Sequence, residues 1–538
     1  MPAAADTAMT PPDRSRFRCV PASPRPLTRI LVLCAALMLA MPLAAQDNDN
    51  ANGDANGDTN GAANGPAQQI SRAAAGLPAA SVTRHSIETD EGMMQFEARA
   101  GALTLRTDRG EARADIAYVA YMRTDDEGAY DRDRPVTFAV NGGPGAASAY
   151  LHIGVLGPWR LPMGTDTISP SQDITLVDNA ETWLAFTDLV FVDPVGTGFS
   201  RLAENDRSSR EQFLSVDGDI EALADFVADW LRERGRTASP VYFIGESYGG
   251  FRGPLLADRL QSETGIALSG MTLVSPVLDF GWREQPAHAP LPRVSLLPSL
   301  AAAAMEREGG IDMERLDAAE EYAEGEFLAD LLRGPGDAAA MARIVENVSE
   351  LTGLDPDFVA RHGGRLDMQL FAREFAREDG RIASIYDSGV TSDDPFPQAA
   401  FSRAREPVLD AMTAPLTRAM LDLYAGRLDW MPERRYILLN NGVNRAWDFG
   451  SGRRQPEALT ALARSMALDP AFDVLVAHGL TDLVTPYFET HLVLRQLRPF
   501  GPGERLREAH YPGGHMFYNR DDSRAAFFED GRRLYGAE

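Results

Sequence analysis

The chain has 538 residues, 44% of them hydrophobic, which is enough for a large core in one domain with an insertion or in two domains. A formal net charge of −26 at pH 7 argues against nucleic acid and anionic membrane as partners. All 52 basic residues are arginine, so a Ser-Lys dyad and a lysine Schiff base are excluded.

Arg29 precedes an uncharged apolar run from Ile30 to Ala45, followed by Gln46. The pattern predicts a secretory signal peptide over 1–45, cleaved after Ala45. An uncleaved anchor is the alternative, but the run is short for a membrane span. Both cysteines, Cys19 and Cys34, fall inside it. The exported chain then holds no disulfide and no cysteine nucleophile. Residues 46–69 form an Asn/Gly/Asp-rich tether that cannot bury apolar surface.

Residues 70–280 read as the first part of an α/β core. Alternating segments Met94–Ala98, Leu103–Leu105, Ile116–Met122 and Val136–Val140 predict strands joined by turns, antiparallel at a sheet edge. Leu189–Val192 is an apolar strand of central type. Residues 216–233 place Ile220, Leu223, Phe226, Val227, Trp230 and Leu231 on one helical stripe. Strand 241–244, a helix from Phe251 to Ser262 and strand 271–275 follow. Such alternation implies a mostly parallel sheet with helices on both faces. Residues 281–430 are rich in Ala, Leu, Glu and Arg at helical spacing, and predict a helical cap inserted over the carboxyl end of the sheet. Core residues resume at 431–538, beginning with a strand at Tyr436–Leu439.

Val241–Ile244 runs directly into Gly245-Glu246-Ser247-Tyr248-Gly249, a G-x-S-x-G turn between strand and helix. This is the pattern of a nucleophile elbow, with small residues letting strand and helix approach closely. A serine nucleophile needs a base, and on such a scaffold the acid and then the histidine follow it in the chain. The strand Val474–Val476 ends in a loop carrying Asp482, the place for the acid. His515 lies 33 residues later on a glycine-rich loop, Tyr-Pro-Gly-Gly-His. His510, on a strand-like approach, and His491, on a helix, are the weaker candidates.

Residues 138–148 read Phe-Ala-Val-Asn-Gly-Gly-Pro-Gly-Ala-Ala-Ser, and 193–200 read Asp-Pro-Val-Gly-Thr-Gly-Phe-Ser. With Gly-Glu-Ser-Tyr-Gly-Gly at 245–250, a late G-x-x-D and a final Gly-His, this order resembles the serine carboxypeptidases across roughly residues 85–530. The resemblance implies an α/β-hydrolase fold and a Ser247, His515, Asp482 triad. It implies an oxyanion hole from the N–H groups of Gly143 and Tyr248. It assigns Asn141 and Glu246, helped by Gly142, to the substrate's terminal carboxylate. For that task Glu246 must be protonated, since two carboxylates repel. The sequence departs from the family in three places. Ala146 stands where a disulfide cysteine is usual, and Val155 stands where a glutamate usually supports the carboxylate-binding one. Arg252, also unusual, reads either as charge near the site or, the blander option, as a helix cap against solvent.

The resemblance implies a serine-type carboxypeptidase acting on peptides through an acyl-enzyme, and the signal-like run with no cysteine beyond it implies a bacterial, exported protein, periplasmic or secreted. The resemblance implies no metal or organic cofactor, and no membrane involvement beyond signal-directed export. An acyltransferase or esterase on the same scaffold is the alternative, and an inactive binding protein is a third.

Overall fold

Three short strands buried along their whole length form the middle of one sheet. They are Val136–Val140, Asp188–Val192 and Gly270–Val274, buried as strands covered on both faces must be. A computed structural model describes residues 77–537, apart from 90–91, 164–168, 205, 400–401, 451–453 and 502–503. The expected signal peptide and tether lie outside the described residues.

From one edge, the main path of the sheet runs Ser81–Thr89, Gly92–Arg106, Ala112–Arg123, Asp188–Val192, Val136–Val140, Val241–Glu246, Gly270–Val274, Asp473–Gly479 and Leu506–Tyr511. The first three strands pair antiparallel with each other and with Asp188–Val192. From Asp188–Val192 onward every pairing is parallel. Alternation divides each strand between two cores. Phe138 meets Phe226 and Trp230 of helix Val216–Arg234 on one face. Ala139 and Ile244 join Leu151, Leu416 and Phe517 on the other.

Three expectations about strands change. Met94–Ala98 and Leu103–Leu105 are one strand, Gly92–Arg106. Its alternation slips at Ala100–Gly101, where two successive residues are buried, and that slip hides its continuity in the sequence. Val136–Val140 lies inside the parallel part of the sheet rather than at its edge. Tyr436–Leu439 forms no strand. Ile437 bridges Gly198 and Leu439 bridges Ala146, so this segment straps two loops instead.

Between Gly270–Val274 and Asp473–Gly479 the chain is mainly helical, with Leu291–Glu308, Met313–Tyr322 and Ala338–Thr352 among its helices. Leu297, Leu300, Phe327 and Ile344 share a core with Leu480, Leu483 and Phe488, so the insertion packs onto the loop and helix that follow strand Asp473–Gly479. It also contains a small hairpin, Arg381–Ala383 with Thr391–Asp393, which helical periodicity did not reveal.

Candidate active site

Ser247 sits between strand Val241–Glu246 and helix Tyr248–Arg259 with φ 60° and ψ −121°. A non-glycine residue holds such a backbone only where its surroundings enforce it. The enforcement is close packing. A side chain on Gly245 would meet the Gly249 carbonyl oxygen at 2.0 Å, and one on Gly249 would meet the Val140 carbonyl oxygen at 2.3 Å. The Ser247 N–H donates to the Val274 carbonyl (2.9 Å), tying the turn to the end of the neighbouring strand.

His515 and Asp482 come together as expected. His515 Nδ1 and Asp482 Oδ2 are 2.7 Å apart, and both side chains are buried. Asp482 also accepts from the N–H groups of Val484 (2.8 Å) and Thr485 (3.1 Å) and from the Thr485 hydroxyl (2.7 Å). The His515 backbone is pinned on both sides. Its N–H donates to the Tyr386 carbonyl (2.6 Å), and its carbonyl accepts from the Ser275 hydroxyl (3.0 Å). Burial alone lowers the affinity of His515 for a proton, but the charge and hydrogen bond of Asp482 outweigh it, so its pKa is raised. Ser247 makes no side-chain hydrogen bond among the described residues, and the serine–histidine contact is not closed. Open contacts of this kind are common in hydrolases without substrate. His510 and His491 lie elsewhere, beside Glu508: His491 Nδ1 is 3.2 Å from Glu508 Oε2.

The Asn141–Gly145 turn rests against the elbow. A side chain on Gly142 would lie 2.5 Å from the Tyr248 nitrogen and 2.9 Å from Ser247 Cβ, so only glycine allows this approach. Tyr248 opens its helix, which leaves its N–H without an acceptor one turn back. Gly143, next in the turn, has φ +104°. The strap at Ile437–Asn440 fixes the turn from outside. The Asn440 N–H donates to the Gly145 carbonyl (2.7 Å), and the Ala147 N–H donates to the Leu438 carbonyl (2.9 Å).

Asn141 and Glu246 are both buried. Asn141 Oδ1 accepts from the Leu151 N–H (3.0 Å), while its Nδ2 is buried without a hydrogen-bond partner. It lies near enough to Glu246 to favour the charged carboxylate slightly. Burial dominates at Glu246 and pushes its pKa up to about 7, against the opposing pull of His515 and of a hydrogen bond from Tyr518.

Arg252 departs from the blander expectation. It is fully buried and does not cap a helix against solvent. Its Nε donates to Asp219 Oδ2 (2.6 Å) and its Nη2 to Asp219 Oδ1 (3.2 Å). Its Nη1 donates to the Asn141 carbonyl (2.6 Å), and its guanidinium lies 4.8 Å from the centre of the Tyr248 ring. One side chain thus links two helices to the Asn141 turn. Asp219 carried no motif, and only its place near the start of helix Val216–Arg234 could have drawn notice.

Residues 92–286 match the family described as serine carboxypeptidase. Over this stretch the chain is similar to the serine carboxypeptidases. The match takes in the Asn141 turn, the elbow and the strand after it. A pheromone-processing carboxypeptidase of Aspergillus oryzae is 31% identical over 159 residues, covering 28% of this chain and 22% of that protein. Serine carboxypeptidase-like 47 of Arabidopsis thaliana is 31% identical over 160 residues, covering 27% of this chain and 29% of that protein. The aligned stretches thus span less than a third of either relative. The crystal structure of a prohormone-processing carboxypeptidase from Saccharomyces cerevisiae superposes with a TM-score of 0.51 at 16% identity, covering 82% of this chain and 91% of that one. The common fold is that of the α/β-hydrolases. Asp482 and His515 lie beyond the family match, on strands and loops that the shared fold supplies. Among the described residues, no helix is long and apolar enough to cross a membrane, and no group of three or more His, Cys, Asp or Glu could hold a metal ion.

Proposed function

We propose that this protein is a serine-type carboxypeptidase that releases C-terminal residues from peptides. The observation that carries the reading is the buried Glu246, raised to about 7 and adjacent to Ser247. Ester hydrolysis and acyl transfer do not require a proton donor to a terminal carboxylate. A carboxypeptidase uses it as a donor to the substrate's terminal carboxylate, with Asn141 Nδ2 and the Gly142 N–H beside it.

In this mechanism Ser247 Oγ attacks the last peptide carbonyl as its proton passes to His515 Nε2. Asp482 fixes the imidazole through Nδ1 and stabilises the cation that forms. The N–H groups of Gly143 and Tyr248 receive the developing oxyanion, usually the largest single contribution in acyl transfer. His515 then gives the proton to the leaving amine, and the peptide C–N bond breaks to leave an ester on Ser247. Water, deprotonated by the same imidazole, hydrolyses that ester and regenerates the serine. The chain is exported, with residues 1–45 removed.

The pH dependence follows from two groups. His515 must be neutral to accept a proton, so activity falls on the acid side through its raised pKa. Glu246 must be protonated to donate, so activity on free carboxylates falls as pH rises through about 7. The test is release of free amino acid from an N-blocked dipeptide, set beside its C-terminal amide and a neutral ester. Preference for the free carboxylate supports the reading. Equal or better turnover of the ester and amide favours the esterase or acyltransferase instead.

A further inference from the structure

The Glu246 carboxyl has a buried partner that no motif marked. Tyr518 lies on the short turn Phe517–Asn519, three residues after His515. Its hydroxyl donates to Glu246 Oε2 at 2.5 Å, and the two residues are 1% and 4% exposed. The wide helical turn His152–Leu156, which carries Val155 in place of the usual acid, packs against the Tyr518 turn. A side chain on Gly154 would come within 3.1 Å of the Tyr518 ring, so glycine there makes room for the phenol.

We infer that Tyr518 is the positioning residue for recognition of the substrate's terminal carboxylate, standing in for the acid that Val155 replaces. Its hydroxyl pins Glu246 Oε2, so Oε1 is the oxygen that turns to the substrate. This rests on the carboxypeptidase reading. The substitution of phenol for acid has a chemical consequence. A carboxyl partner could share a proton with Glu246 and hold it to high pH. A phenol can only donate to the carboxylate here, because burial and the facing Glu246 keep the Tyr518 hydroxyl protonated. That donation favours the charged form of Glu246.

The other groups facing Glu246 are His515, which also favours its charge, and Asp482, which opposes it. Asn141 lies beside it, and the buried Tyr150 hydroxyl is within electrostatic reach. Glu246 and His515 form a coupled pair, so their two apparent pKa values belong to the pair. With Tyr518 removed, the balance moves towards protonated Glu246. The alkaline limb of peptide hydrolysis then moves up in pH.

The experiment compares wild type and Tyr518→Phe in the exported chain. Infrared difference spectra over a pH titration follow the carboxyl band, which is assigned by its loss in Glu246→Gln. In parallel, kcat/KM is measured against pH for an N-blocked dipeptide and for its ester, and fluorophosphonate labelling of Ser247 reports a folded site. Tyr518→Phe should raise the Glu246 midpoint by about one unit, the order of a charge-assisted hydrogen bond. The alkaline limb for the free carboxylate should move with it, while the alkaline limb for the ester stays in place. An infrared midpoint that stays or falls in a variant that still labels overturns the inference. So does a wild type selective for free carboxylates whose limb is unmoved in Tyr518→Phe. Equal cleavage of free and amidated peptides by wild type removes the carboxypeptidase reading itself, and is seen without any variant.

Discussion

Asp482 and Glu246, the two carboxyl groups that act on His515, have opposite surroundings. Asp482 accepts four hydrogen bonds, from Val484, twice from Thr485, and from His515. Among the described residues Glu246 accepts one side-chain hydrogen bond within normal geometry, from Tyr518, and burial pushes it up to about 7. A carboxylate ringed by donors is a fixed acceptor, suited to orienting an imidazole. A carboxyl with a single donor in a dry setting keeps a proton that it can offer. On the proposed reading, environment rather than residue type separates an orienting acid from a recognising one.

Removing the acceptor side should have the largest effect. Ser247→Ala and His515→Ala should each reduce kcat by a factor on the order of 10⁶, to similar floors, because triad members act as a unit. Asp482→Asn should lose roughly 10⁴, since the wrong imidazole tautomer is then held. Steady-state kinetics on a blocked dipeptide checks all three. If His510→Ala abolishes turnover and His515→Ala does not, the base is His510.

Arg252 tests whether the recognising side depends on a buried support. Arg252→Met leaves Asp219 buried and unpaired, which should cost about 3–5 kcal/mol in urea unfolding. Arg252→Met combined with Asp219→Leu should recover most of that stability. The double variant should still hydrolyse peptides poorly, because the Asn141 carbonyl has lost its donor. A stable double variant of full activity would show that the pair is structural only.

The elbow and the late loops were legible because their residues lie in short contiguous runs. Gly245, Ser247 and Gly249 state their own turn, Asp482 sits just past an apolar strand, and His515 sits on a glycine-rich loop. Tyr518 was not legible, because its contact with Glu246 spans 272 residues and an aromatic after a turn has many uses. Arg252 was visible as an oddity, but only packing shows that Asp219 and the Asn141 carbonyl are its partners. Strand Gly92–Arg106 was split by the slip in its alternation. Val136–Val140, apolar but for Thr137, carried the pattern of an interior strand, but its neighbours in sequence suggested an edge.

A smaller effect concerns the amino terminus. If residues 1–45 are a cleaved signal, the exported protein begins near Gln46 and contains no thiol. Oxidants and reductants should then leave its thermal unfolding unchanged, and N-terminal sequencing would read from Gln46. Recovery of residues 1–45 on the exported protein would contradict cleavage.

The contrast between the two carboxyls is tested most directly by Glu246→Gln, which offers a donor at every pH. The measurement is kcat/KM from pH 5 to 9 for one N-blocked dipeptide with a free and with an amidated C-terminus. Wild type should prefer the free carboxylate and lose that preference as pH rises through about 7, the value set by burial of Glu246. Glu246→Gln should keep the preference with a flattened alkaline limb. An unchanged alkaline limb in Glu246→Gln, or equal cleavage of free and amidated peptides by wild type, would contradict the account.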